Sequence, residues 1–145
     1  MDGNRCPFGS VGAVIEKDGE YLALYRTSFP QGLAGIAGHI EPGETPAQAL
    51  ARELKEEAGI TAEAFEEVLH TTLPNSCNKG YTSHEWWLYK VTAWGGEPRL
   101  MEPEKHTFVR FVSRDEIRAH AERKDMDPAW VSLFAELGVL EKGVS

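Results

Sequence analysis

The stretch Gly38–Ile60 reads GHIEPGETPAQALARELKEEAGI, and its second half is punctuated as a helix. Thr45 suits an N-cap, Pro46 the first helical position, Gln48 the far side of a capping box, and Gly59 a left-handed stop. The spacing predicts a helix over Pro46–Ala58. Wound at about 100° per residue, it places Ala47, Leu50, Ala51, Leu54 and Ala58 on one stripe and Glu53, Glu56 and Glu57 on the stripe beside it. Glu53/Glu56 and Glu53/Glu57 stand at i,i+3 and i,i+4 with no cation between them, and each pair costs an isolated helix roughly 0.2–0.5 kcal/mol.

A solvated acidic face is the ordinary reading of such a cluster. Solvated faces usually carry a lysine one turn away, however, and here residue 49 is Ala; Arg52 can reach Glu56, and Lys55 lies on the far side. Three carboxylates converging beside an apolar stripe suit a hard divalent cation with oxygen ligands, Mg²⁺ or Mn²⁺. Ahead of the helix, Gly38, Pro42 and Gly43 shape a loop whose carbonyls can approach the same ion.

The order Gly38, five residues, Glu44, seven residues, Arg52-Glu53-Leu54, one residue, Glu56-Glu57, one residue, Gly59-Ile60 resembles the signature box of the Nudix hydrolases at every fixed position. Many members have a Gly-Gly pair at the box entrance, where this chain has Ala37-Gly38; that exchange asks only for an ordinary φ at residue 37. The resemblance implies Mg²⁺-dependent hydrolysis of a nucleoside diphosphate linked to another moiety, with Mn²⁺ able to substitute. Carried over residue by residue, it makes the Gly38 carbonyl, Glu53, Glu56 and Glu57 metal ligands. Glu53 is ligand or base, and Arg52 orients Glu44 and a box glutamate. A base from outside the box is common in the family, and Glu104 or Glu102 is the candidate here, against a reading of both as exposed loop carboxylates.

With 145 residues and 41% hydrophobic content the chain is expected to form one domain, residues 1–145, around one core. A net charge of −8 and a pI near 5.1 leave no basic stripe for nucleic acid or anionic membrane. There is no apolar leader in MDGNRCPFGS and no run long enough to span a bilayer, which predicts a cytoplasmic protein. Cys6 and Cys77 lack metal-site spacing and suit two free thiols in a reducing compartment, with a Cys6–Cys77 disulfide as the alternative.

Ser10–Ile15 and Tyr21–Arg26 read as the strands of a hairpin turning at Lys17-Asp18-Gly19-Glu20. Thr27–Ala37 reads as a loop entering a short strand before Gly38. Ala64–Leu73 is strand-like, Pro74–Gly80 is a polar connection long enough to overhang a site, and His84–Trp94 is the strongest strand. With Trp86 and Leu88 on one face and Trp87, Tyr89 and Val91 on the other, this strand is expected at the centre of a sheet. Thr107–Val112 is a further strand. Ser113 with Glu116 opens a capped helix, and a last helix begins at Asp127-Pro128 and stops at Gly138. The pattern predicts a layered α/β/α sandwich around a mixed sheet, which is also the Nudix fold.

Four further residues are candidates for holding substrate. Arg26 ends its strand either as an exposed cation or, by resemblance, facing phosphate. His39, beside Gly38, is a phosphate contact or a surface group. Trp86 is sheet core or a pocket wall, and Glu104 has been named above. The remaining histidines, His70, His84, His106 and His120, show no ligand spacing and read as structural or surface groups. A compact chain whose Glu102-Pro103-Glu104-Lys105 segment resembles that of small triphosphate-cleaving members favours a nucleoside triphosphate as substrate. ADP-ribose and nucleotide sugars are the alternative substrates, and monomer and homodimer both remain open. The competing class is a nucleotide-sensing module that does not cut. Such modules go with a decayed box, and every acidic position is filled here.

Overall fold

The computed structural model describes residues 9–74 and 83–141. The polar connection after Pro74 and the cysteine pair Cys6 and Cys77 lie outside the described residues. In chain order the elements are β1 (Ser10–Val14), β2 (Glu16–Lys17), β3 (Glu20–Arg26), β4 (Gly32–Ala34), β5 (Ile36–His39), α1 (Pro46–Ala58), β6 (Thr61–Pro74), β7 (Ser83–Gly95), β8 (His106–Ser113), α2 (Arg114–Glu122) and α3 (Pro128–Glu136).

The expected mixed sheet is present, in the order β5-β1-β7-β6, with β1 parallel to β7 and antiparallel to β5. A second sheet, wholly antiparallel, is built from β2, β3, β4 and β8. This changes the hairpin reading. The tight turn at Asp18-Gly19 joins β2 to β3, while β1, one residue upstream of β2, pairs in the other sheet. The chain crosses between sheets at Ile15, which is fully buried and accepts a hydrogen bond from the Leu22 N–H at 2.9 Å.

β7 is interior to its sheet as expected, flanked by β1 and β6. Trp86 and Leu88 are buried, whereas Trp87 is half-buried and stacks on His70 at 4.6 Å. β6 is longer than its apolar content suggests, beginning directly after Ile60 and running as an edge to Pro74.

The caps of α1 form as their residue types dictate. Thr45 accepts from the Gln48 N–H, the Gln48 side chain accepts from the Thr45 N–H, and Gly59 takes φ 69°. The buried face is rotated from the expected stripe. Ala49, Leu50, Glu53, Leu54, Glu57 and Ala58 are buried, and Ala51 is exposed. Two of the carboxylates thus sit inside the packed face rather than beside it. α1 packs on β1, β5 and β6, and α2 on β8 and β4.

Trp130 of α3 closes the core between the sheets. Its ring lies where a Cβ on Gly35 would come within 2.5 Å and one on Gly12 within 3.0 Å, so glycine is needed at residue 12 of β1 and at residue 35 between β4 and β5. Among the described residues no helix is long and apolar enough to cross a membrane.

Candidate active site

A cleft of about 430 Å³ opens between the two sheets at the side of α1. Its floor is made by Gly38 of β5 and by Glu53, Glu56 and Glu57 of α1. The helix meets the strand closely enough that a Cβ at residue 38 would fall 2.1 Å from Cδ of Glu53 and 2.2 Å from its Oε1. Only glycine admits that carboxylate. Next to it the Ala37 N–H donates to Oε1 of Glu57 at 3.0 Å, a contact that does not depend on the side chain at 37.

Arg52 is spent inside the protein. Its Nε and Nη2 donate to the two oxygens of Glu44 at 2.8 and 2.9 Å, Nη1 to Glu53 at 2.7 Å and Glu56 at 3.1 Å, and Nη2 also to the His39 carbonyl at 2.9 Å. The bond from Arg52 holds the Glu44 carboxyl below its ordinary range, and the same contacts raise the guanidinium. Glu44 in turn accepts from the Glu41 N–H at 2.9 Å, so Arg52 fixes the box loop as well as the helix.

The electrostatics show a deficit of positive charge. Glu53, 8% exposed, is pushed up to about 7 by burial, with Arg52 pulling the other way and Glu56 and Glu102 adding repulsion. Glu57, also 8% exposed, is raised well above the carboxylate range by burial and then by Glu53 and Glu102; the Ala37 N–H only partly offsets this. Glu56 is the exposed member of the three. Buried carboxylates crowded on an oxygen-only floor fit a hard divalent cation. Without one, burial and mutual repulsion disfavour their charged forms.

The other expected residues divide. Arg26, His39 and Trp86 line the cleft. Nε and Nη2 of Arg26 donate to the carbonyls of Pro30 and Phe29 at 2.9 and 3.3 Å, which folds the 27–31 loop against the mouth. Trp86 serves both roles left open for it, since it packs edge-on against Trp130 and its buried Nε1 has no partner among the described residues. Glu104 is exposed and is not among the lining residues; Glu102, two positions earlier, is. The turn that starts at Glu102 brings the Lys105 and His106 N–H groups back onto the Glu102 carbonyl, leaving Glu104 on its outer side.

Several lining residues escape the sequence reading. His106 and His84, expected as structural or surface groups for want of ligand spacing, are buried and also line the cleft. One donor atom each from Glu57, Glu102 and His106 lie within 4.8 Å of one another. The spacing of Glu102 and His106 across a turn was the available signal. His84 shares a 2.5 Å hydrogen bond with the hydroxyl of Ser10, and burial with repulsion from His39 lowers its pKa to about 4. Asp127, read only as a helix start, does cap α3 by accepting from the Ala129 N–H at 2.9 Å. It also faces the cleft, with burial raising it to about 6.

Comparison with known proteins agrees with this geometry. A family model described as NUDIX domain matches residues 7–133. The chain is 43% identical over 108 residues to an 8-oxo-dGTP diphosphatase of Escherichia coli strain K12, covering 71% of this chain and 79% of that protein. It is 48% identical over 61 residues to a CTP pyrophosphohydrolase of the same organism, covering 40% of this chain and 45% of that protein. A solved NUDIX hydrolase from Nitrosomonas europaea superposes with a TM-score of 0.75 at 25% identity, over 92% of this chain and 89% of that one.

Proposed function

The chain belongs to the Nudix hydrolases, and from that premise we propose that it cleaves a nucleoside triphosphate with Mg²⁺, or Mn²⁺ in its place, to nucleoside monophosphate and pyrophosphate. The observation that carries the reading is the floor of the cleft. Glu53 is buried against the glycine gap at residue 38 and Glu57 beside it against the Ala37 N–H, while Arg52 is already engaged by Glu44, Glu53, Glu56 and the His39 carbonyl. The choice of triphosphate is supported by the activity named for the Escherichia coli 8-oxo-dGTP diphosphatase.

Glu56, Glu57 and the Gly38 carbonyl would hold the ion, with Glu53 beside them. When bound, a divalent ion supplies Lewis-acid chemistry toward phosphate oxygens and makes water more acidic. Glu53, on the cleft floor beside those ligands, would accept a proton from the attacking water as one phosphoanhydride bond breaks. Arg52 keeps one oxygen of Glu53 fixed and leaves the other for that task. Arg26 and Lys105 at the mouth would face the remaining phosphate charge, and Trp86 would offer the nucleoside an apolar wall.

A hydrolysis panel with identified products tests this. Triphosphates should yield monophosphate plus pyrophosphate in the presence of Mg²⁺. Glu57→Gln should lose metal affinity and rate, whereas Glu53→Gln should chiefly lose rate at saturating metal. Unchanged turnover in Glu57→Gln would remove the site. A kcat/KM about a hundredfold higher for ADP-ribose or a nucleotide sugar than for every triphosphate, a preference of about 2.7 kcal/mol, would overturn the substrate class.

A further inference from the structure

We propose that His106 supplies a nitrogen ligand to a metal position it shares with Glu57 and Glu102, and that this position takes a transition ion such as Mn²⁺, Co²⁺ or Zn²⁺ in preference to Mg²⁺. The inference rests on the metal reading of the cleft given above and adds a position with different chemistry. Nε2 of His106 stands 4.0 Å from Oε2 of Glu57, too far for a hydrogen bond, and one donor atom each from Glu57, Glu102 and His106 lie within 4.8 Å of one another.

The imidazole is 2% exposed and its Nδ1 is buried without a partner among the described residues. A buried imidazole kept only for packing would be expected to satisfy its polar atoms internally. This one points its other nitrogen at a carboxylate that it does not bond.

The placement comes from two independent parts of the fold. α1 presents Glu57, and the turn 102–105 carries Glu102 over the start of β8, where the His106 N–H bonds the Glu102 carbonyl at 3.0 Å and His106 is registered against Arg26 of β3. Lys105 holds Oε2 of Glu102 at 3.1 Å, and the second oxygen of that carboxylate remains for a cation. Two carboxylates with one imidazole form a mixed donor set. Mg²⁺ favours oxygen ligands, whereas imidazole nitrogen suits the later divalent ions of the first transition row.

The test uses the full chain loaded with Mn²⁺ and reads electron spin-echo envelope modulation, which detects a directly bound nitrogen. Wild type should show nitrogen modulation. His106→Gln and His106→Asn should lose it while Mn²⁺ stays bound through the carboxylates, with Mn²⁺ affinity falling about tenfold or more and Mg²⁺ affinity unchanged. An all-oxygen signature in wild type with Mn²⁺ bound overturns the proposal whether or not the variants fold. Modulation that persists in both variants also overturns it, since the nitrogen would then come from another histidine such as His39 or His84. If wild type binds no Mn²⁺ at all, the metal reading itself fails and this inference falls with it.

Discussion

At residue 38 the absence of a side chain decides more than any group in the cleft except the glutamates. A methyl there would sit 2.1 Å from Cδ of Glu53, so Gly38→Ala should turn that carboxylate off the floor while leaving the backbone largely able to keep its course, since residue 38 is not among the positive-φ glycines. The expected outcome is a folded protein with rate and Mg²⁺ affinity both reduced at least about tenfold. Circular dichroism together with calorimetric metal titration checks it, and wild-type Mg²⁺ affinity in the variant would show that the close approach is incidental. Much of this floor was legible from residue types and spacing alone. Glu53, Glu56, Glu57 and Arg52 lie within one helix, where distance along the chain is distance in space. Glu102 and His106 were not legible as neighbours of Glu57, because a turn nearly fifty positions later brings them there.

Between elements, the pairing of β1 with β7 is fastened at one end by the Ser10–His84 hydrogen bond. His84 has a folded-state pKa near 4 against an ordinary 6.5, depressed by burial and by His39. Its contribution to stability is therefore complete above about pH 6.5 and is lost as pH falls through the window toward 4. Thermal unfolding followed from pH 7 to 4 should show a fall that His84→Gln flattens. An identical slope in the variant would assign the acid sensitivity to other groups. Helix boundaries were legible at this scale and strand partners were not. Thr45, Gln48 and Gly59 specify the ends of α1 by local hydrogen bonds, whereas the apolar run Ser10–Ile15 marks a buried strand without naming a neighbour. The same limit explains the rotation of α1. Hydrophobic periodicity counts a carboxylate as solvent-facing, and Glu53 and Glu57 are buried at the floor of a polar cleft.

Across the whole molecule the two sheets are keyed together by Trp130, whose indole fills the space over Gly35 and Gly12. Gly35→Ala would place a methyl 2.5 Å from Cη2 of that ring, against a fully buried side chain with little room to move. Overpacking of this kind typically costs about 1–3 kcal/mol. Chemical denaturation should show that loss as a lowered midpoint with an unchanged slope; a midpoint equal to wild type would mean the indole relocates freely. The crossing at Ile15 acts with this contact. β1 and β2 belong to different sheets yet are separated by the single buried residue Ile15, and β4 and β5 likewise by Gly35, so the walls of the cleft share two short covalent seams. A rigid-body closure of one wall onto the other would have to tear Ile15 from the core and break its bond to Leu22. Among the described residues, adjustment on binding is expected in the segments at the rim of the cleft, 27–31 from one sheet and 102–105 ahead of β8. Substrate would then meet walls already tied to each other at two points before it arrives.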